Sequence, residues 1–468
     1  MVRRMSGSRV VAFGLVAVIV GAVSVLLIAE PDLGPYPLLA VLLASFAALG
    51  VLLGLEPLRR SLNMGVVLAV SGALLLGSAI APARSSDDLW AYAMYGRAIV
   101  VHHESPYVHP PSDFPDDPML AHVDPYWRGT TARYGPLFLA ITVPIAAVAG
   151  EHPLPTRLAY QMLAALAVFV ALVLIARRTR NPAAVAAVGL NPVTAYVVVN
   201  GGHNDALVGV AVLAGVLLAT RDRHIPASLA FTAAALVKAT AGLALLAYLV
   251  WLAYQRGPRV VLRAAAVAVG VTLVSLIVVG FGNVIGPLLG ARETVLPHSP
   301  WTLFASNGVR KALGYGYQEL GPLGRLSTIG IVTGLVIGAI FVLSRLRDTT
   351  PLYVVAGALL AYLFVSVYTP PWFAAWVFPV VALAWRWRVS LCTFGFFAVL
   401  MIDDRFGNAV FPQVFANEHN FQVLLRNWIN TLAMMAAVAS VVVLLLSLRP
   451  EPVPDAEPRQ ERRYVPAS

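Results

Sequence analysis

Four polar segments interrupt an otherwise apolar chain, and each carries residue types that can do chemistry. Ser85-Ser86-Asp87-Asp88-Leu89-Trp90-Ala91-Tyr92 sets two carboxylates side by side at the end of a hydrophobic run. Adjacent carboxylates that are desolvated together push one pKa upward. That suits a general base acting on a hydroxyl, or a cation site. The plainer reading is a polar loop start in which an Asp caps a helix from Leu89 to Val101. The stretch from Gly96 to Pro136 is dense in His102, His103, Glu104, Tyr107, His109, His122, Trp127, Arg128, Arg133 and Tyr134. Arg beside aromatic residues suits a surface that stacks on sugar faces and clamps phosphate.

The third segment is Asn200-Gly201-Gly202-His203-Asn204-Asp205. Its glycines break a helix and let backbone amides approach a ligand, while His203, Asn204 and Asp205 offer donors and acceptors. A capped tight turn would use Asn204 or Asp205 merely to start the next helix; His203 is more than that needs. The fourth is Lys238, alone in an apolar stretch, where it must either snorkel or bind an anion. His298 and Trp301, and Trp372 beside Pro370 and Pro371, place aromatic groups near prolines, which interfacial belts also do. Asp403 and Asp404 form a second acidic pair without comparable aromatic company and read as loop residues. The histidines match no zinc-ligand spacing. Two aspartates without further carboxylates make a thin cation site, so no metal or cofactor is implied and a divalent cation is left open.

The elements that must position these residues are membrane helices. Of 468 residues, 59% are hydrophobic and only 12% charged, against about 25% charged in a soluble domain. Runs such as Ala264 to Val279 are continuous, which argues for helices over a barrel of alternating strands. Expected spans are 10–29, 37–55, 64–80, 157–176, 182–199, 206–220, 225–238, 240–254, 259–280, 327–344, 351–368, 372–386, 389–402 and 424–447. The net charge of +10 comes from Arg clusters at span ends. Arg3/Arg4, Arg59/Arg60, Arg177/Arg178/Arg180, Arg221/Arg223, Arg256/Arg259, Arg345/Arg347 and Arg386/Arg388 are all expected on the cytoplasmic side. Nucleic-acid binding is thereby disfavoured. Both Arg59/Arg60 and Arg177/Arg178 can be inside only if Pro136 to Ala149 does not cross, so it reads as a juxtamembrane or re-entrant helix. Both termini are then cytoplasmic, with a transmembrane domain over 1–447 and a disordered tail over 448–468. The loops 81–156, 281–326 and 403–423 and the Asn200–Asp205 turn face outward. Cys392, the single cysteine, reads as a small core residue.

Asp87-Asp88 after an early span, Tyr134-Gly135-Pro136-Leu137-Phe138, Gly201-Gly202-His203-Asn204-Asp205 and Val237-Lys238-Ala239-Thr240 together, in this order, resemble one family. It is the actinobacterial polyprenyl-phosphate-mannose-dependent α-1,6-mannosyltransferases of the GT-C superfamily. The resemblance runs from about Ser85 to Leu243. It implies an all-α, multispanning GT-C-like bundle of about 13–15 transmembrane helices, with juxtamembrane helices in the first large external loop. It further implies an inverting glycosyltransferase of the plasma membrane that moves a sugar, mannose in α-1,6 linkage, from a polyprenyl phosphate on the extracytoplasmic face. The acceptor would be a cell-envelope lipoglycan or polysaccharide. Carried over, Asp87 or Asp88 is the base, and Lys238, His203, Asn204, Asp205, Arg128, Arg133 and Tyr134 hold donor phosphate or sugar. Trp90, Tyr92, Tyr107, Trp127, His298, Trp301 and Trp372 supply aromatic contacts to sugar or lipid. The rival reading is a transporter or flippase for a lipid-linked glycan. A transporter's polar groups belong near the bilayer midplane along a path, whereas here they gather on one face.

Overall fold

The computed structural model describes residues 7–284, 321–414 and 421–448. All regular structure among the described residues is helical. The principal α-helices are α1 Gly7–Ala29, α2 Pro35–Gly54, α3 Glu56–Arg60, α4 Met64–Ile80, α5 Asp88–Val100, α6 Pro136–Ala149, α7 Pro153–Thr179 and α8 Pro182–Gly189. They continue with α9 Asp205–Ala219, α10 His224–Val237, α11 Gly242–Arg256, α12 Pro258–Val279, α13 Gly321–Ser344, α14 Leu352–Val365, α15 Ala374–Val381, α16 Arg388–Val414 and α17 Phe421–Leu446. The expected sites His298 and Trp301 lie outside the described residues.

The protein is a multi-pass helical membrane protein. Five helices among the described residues are each long and apolar enough to span, and Pro182–Gly189 with Val193–Asn200 form an apolar pair bent by 48°. The apolar helices α4, α6, α9, α10 and α14 have 10–17 residues, or roughly 15–25 Å at 1.5 Å per residue. They are shorter than the roughly 30 Å hydrocarbon layer. The expected all-α multispanning bundle is thus observed, and among the described residues it combines full-length helices with shorter apolar ones.

Local sequence accounts for the breaks. Proline starts α2, α7, α8 and α12 within their first turn, where its missing N–H costs nothing. Asn63 and Asn181 cap α4 and α8 through their side chains, accepting from Val66 N at 3.2 Å and Ala183 N at 2.9 Å. At Asn191-Pro192 the helix cannot continue past α8. The Asn191 side chain accepts from Val193 N at 3.0 Å, and the chain resumes as a π-helical segment, Val193–Asn200. Such widened turns concentrate at functional sites, and this one ends at the polar turn.

The helix ends sort into two sets. Arg157 of α7 donates to the carbonyl of Ile80 at the end of α4, and Lys238 after α10 pairs with Asp205 at the start of α9. At the opposite end, Arg59 lies over Trp385, Gln255 donates to Leu346 O, and Arg256 pairs with Asp222. The arginine clusters and the polar turns thus occupy opposite ends of the bundle. Gly135, just before α6, bonds Val237 O at 3.0 Å, and α7 begins four residues after α6 ends, beside Ile80. Hence α6 leaves from and returns to the same end.

The expected loop 403–423 is corrected: α16 runs through Asp403, Asp404 and on to Val414. Asp404 has its counter-charge beside it in the helix. Arg405 holds Asp404 at 2.8 Å and reaches Glu30 at 3.6 Å.

Candidate active site

The segment that leads into the aspartate pair is fastened by one side chain. Asn200, fully buried at the end of the π-helical segment, accepts through Oδ1 from Arg84 N (2.8 Å) and Ser85 N (3.3 Å). Its Nδ2 donates to Ser78 O (3.1 Å) and Pro82 O (2.8 Å). Gln161 Nε2 in turn donates to Asn200 O (2.7 Å) and Ala81 O (3.2 Å). Replacing Asn200 by Leu takes this partner from the backbone of Ser78, Pro82, Arg84 and Ser85, and the buried groups of Ser78 and Ser85 then cost about 1–3 kcal/mol each. A marked drop in the thermal midpoint of the purified protein is expected; an unchanged midpoint would show that the fastening is not needed.

Past this anchor the two aspartates part. Asp87 occupies the cap position of α5, but its side chain caps nothing. It is exposed, whereas the Asp88 side chain is 17% exposed. Asp88 lines a cavity of about 260 Å³ together with Trp127, Arg133, Tyr134, Lys238, Tyr368 and Trp372. Burial pushes its carboxyl up to about 6; Lys238 opposes the shift, and Asp205 and Asp87 add to it. Of the two, Asp87 holds the helix-cap position and Asp88 carries the carboxyl that lines the cavity.

The turn after Asn200 comes up behind Asp88. His203 is fully buried, lies 3.7 Å from Asp88 through Nδ1, and stacks on Trp372 with centroids 4.4 Å apart. Burial, with Lys238 and Arg405 nearby, holds its imidazole well below the usual range and so neutral. Asn204 and Asp205 are also buried, and neither provides a side-chain cap to α9. Both polar atoms of the Asn204 side chain lack a hydrogen-bond partner among the described residues. Asp205 Oδ1 receives Lys238 Nζ at 2.8 Å and also Trp376 Nε1. One turn on, a Cβ at Gly209 would collide with Ala375 O. Only glycine lets α15 come close enough for Trp376 to reach Asp205.

Lys238 thus neither snorkels nor waits unpaired. It is held by Asp205 and lies over the Phe373 ring at 4.2 Å and the Trp376 ring at 5.4 Å. Its placement depends on Gly135, whose Cβ, were there one, would collide with Leu236 O. Tyr134-Gly135-Pro136 and Leu236-Val237-Lys238 consequently lock backbone to backbone. On the far side of that lock lies an open apolar groove of about 790 Å³, lined by Pro136, Leu139, Leu236, Val271, Val274 and Val278 among others.

The remaining expected residues separate clearly. Arg133 and Trp127 line the cavity. Arg128 does not: its Nε donates to Val123 O at 3.0 Å, which shapes the loop. Trp90 is buried and stacks on His122. Tyr92 is buried edge-on against Tyr134, Phe138 and Tyr160, and Tyr107 donates to Tyr134 O at 2.9 Å. Trp90 and Tyr92 support the walls rather than form them, while Tyr107 also lines the apolar groove beyond Gly135. Sequence reasoning missed Gln161, Arg157 and Arg405 as members of the site's scaffold. The signal for the first two was a polar pair four residues apart in the apolar helix α7.

Residues 34–255 match the family model described as Alpha-(1->6)-mannopyranosyltransferase, N-terminal domain. The chain is also similar to Alpha-(1->6)-mannopyranosyltransferase A of Corynebacterium glutamicum, 32% identical over 195 residues, which is 41% of this chain and 39% of that protein. A second relative, Alpha-(1->6)-mannopyranosyltransferase A of Mycobacterium tuberculosis, is 33% identical over 196 residues, 39% of this chain and 37% of that protein. The aligned segments thus span less than two fifths of the relatives' own lengths. The family match contains Asp87, Asp88, Arg133, the Asn200–Asp205 turn and Lys238. The wall contributed by Tyr368, Trp372 and Phe373 lies beyond it.

Proposed function

We propose that this chain is an inverting mannosyltransferase that moves mannose from a polyprenyl phosphate to a hydroxyl of a cell-envelope glycan, forming an α-1,6 linkage at the extracytoplasmic surface. The observation that carries this reading is the cavity in which Asp88 faces Arg133 and Lys238 between aromatic walls. In the reaction the acceptor oxygen bonds to the sugar's C1 as the bond from C1 to the phosphate oxygen breaks. The bonding pair leaves with the phosphate, and the hydroxyl proton passes to Asp88. A base on one side and cations on the other match where charge develops. Neutral His203 adds no competing positive charge beside the base. The apolar groove beyond Gly135 suits the donor's hydrocarbon chain, leaving the phosphate at the Tyr134–Lys238 lock. The arginine clusters at the opposite end of the bundle support an external site.

Arg133 pairs with no carboxylate among the described residues, so it is the cation free to meet the phosphate. A hydrogen bond to a charged group is worth about 1.5–3 kcal/mol. Arg133→Gln is expected to raise the donor KM at least about tenfold, with the acceptor KM little changed.

The reading is tested with purified, reconstituted protein, a defined polyprenyl-phosphate mannose and a mannose-ended acceptor, followed by linkage analysis. An α-1,6-linked product is expected. Transbilayer movement of the donor without any product would replace this reading by that of a flippase.

A further inference from the structure

At the arginine-bearing end of the bundle, α1, the α3–α4 connection and Leu190 at the helix break enclose a second cavity of about 380 Å³. Its mouth carries Arg9, Arg60, Ser61 and Asn63, and its walls are apolar, including Phe13, Val16, Val66 and Val70. Arg9 meets no carboxylate among the described residues. The partner of Arg60 is Glu56 in an exposed pair one turn away, an interaction worth little in water and readily exchanged for a phosphate. Asn63 spends its oxygen on capping α4, which leaves its amide N–H groups to donate. From Arg9 to Val16 along α1, and from Asn63 to Val70 along α4, the crevice descends by about 10 Å.

A free anion would fill only the mouth of such a cleft. A cationic rim above a narrow apolar crevice complements an amphiphile with a negative head. We propose that this cavity binds one anionic phospholipid, with its phosphodiester between Arg9 and Arg60 and the start of an acyl chain against Phe13, Val16 and Val70. The site is distinct from the Asp88 cavity and stands whether or not the transferase reading holds. The bound lipid fills the cleft between α1 and α4 and thereby joins α1 to the helix that leads to Asp87 and Asp88.

The test uses the full-length protein in lipid nanodiscs with rising phosphatidylglycerol in phosphatidylcholine. The thermal midpoint is followed, and lipids retained on the purified protein are identified by native mass spectrometry. The midpoint of the unaltered protein is expected to rise with phosphatidylglycerol, and the protein to retain phosphatidylglycerol adducts. R9Q/R60Q should lose at least half of that rise, while R177Q/R178Q, at the same end but outside the cavity, should keep it. Equal stabilisation by phosphatidylcholine alone, or an equal rise in R9Q/R60Q, overturns the proposal. Full reproduction of the effect by inorganic phosphate in detergent would make it a simple anion site and overturn it as well. If R9Q/R60Q does not fold, Phe13→Trp, which fills the crevice and leaves both arginines, must by itself abolish the lipid-dependent rise.

Discussion

Asp88→Asn is expected to lower the transfer rate by about 100- to 10,000-fold, the usual range for removing a general base, whereas Asp87→Asn is expected to cost less than about tenfold on the same scale. The two residues are chemically identical neighbours, so the difference rests wholly on place. Asp88 lines the cavity with Arg133 and Lys238, while Asp87 is exposed and does not line it. Burial raises the Asp88 carboxyl to about 6, close enough to neutrality for a base that must be ionised yet still take a proton. The pH profile of kcat/KM, which reports the free enzyme, should therefore rise to a plateau through about pH 6. One unit below that inflection, only about a tenth of the base is ionised. The negative charge of Asp87 contributes to the upward shift. Asp87→Asn should accordingly move the inflection to lower pH while leaving the plateau nearly intact. Measuring both variants from about pH 4.5 to 8 brackets that inflection and decides the assignment. Full activity in Asp88→Asn would remove it.

Much of this site is legible in the residues. The apolar runs mark the helices, and the arginine clusters mark the end of the bundle opposite the polar turns. Asp88, Arg133, Lys238 and Trp372 all stand out by residue type, and they meet in one cavity. What stays hidden depends on which ends of which helices meet. Asn200 reads as part of a turn, yet its side chain fastens Ser78, Pro82, Arg84 and Ser85, more than a hundred residues earlier. Arg128 and Arg133 look equivalent five residues apart; one is consumed by loop carbonyls and the other faces the cavity. Arg405 escapes notice because its acidic neighbours resemble a loop. Only the arrival of Glu30, from the end of the first helix, makes it an interior residue of a helix. Residue type shows what chemistry is available, while contacts between distant helix ends decide which of the candidates is free to do it.

Lys238 is the sharpest case, and Lys238→Met is expected to impair stability and donor use by separable routes. Nζ lies 2.8 Å from Asp205 Oδ1, and Asp205 is fully buried. Removing one partner of a buried pair leaves the other charge uncompensated, at a cost of about 3–5 kcal/mol. A clear fall in thermal midpoint should follow. The double variant Lys238→Met with Asp205→Asn removes both charges. The amide oxygen it places beside Trp376 can still accept from the indole N–H, so most of the lost stability should return. Transfer should not return, because the cation that faces the Asp88 cavity is still missing from the leaving phosphate. The same loss removes the field that holds the Asp88 carboxyl down. In the single variant, where Asp205 keeps its carboxyl, residual activity should therefore show its inflection at higher pH than in the unaltered protein. Thermal denaturation, donor KM and the pH profile of the two variants separate the contributions. A double variant that regains both stability and transfer would confine Lys238 to neutralising Asp205. An unaltered midpoint in the single variant would mean that the pair is not buried. The expected pattern, with stability rescued and transfer still lost, assigns one ammonium group two roles: it neutralises a carboxylate inside the bundle and presents positive charge to a substrate phosphate at its surface.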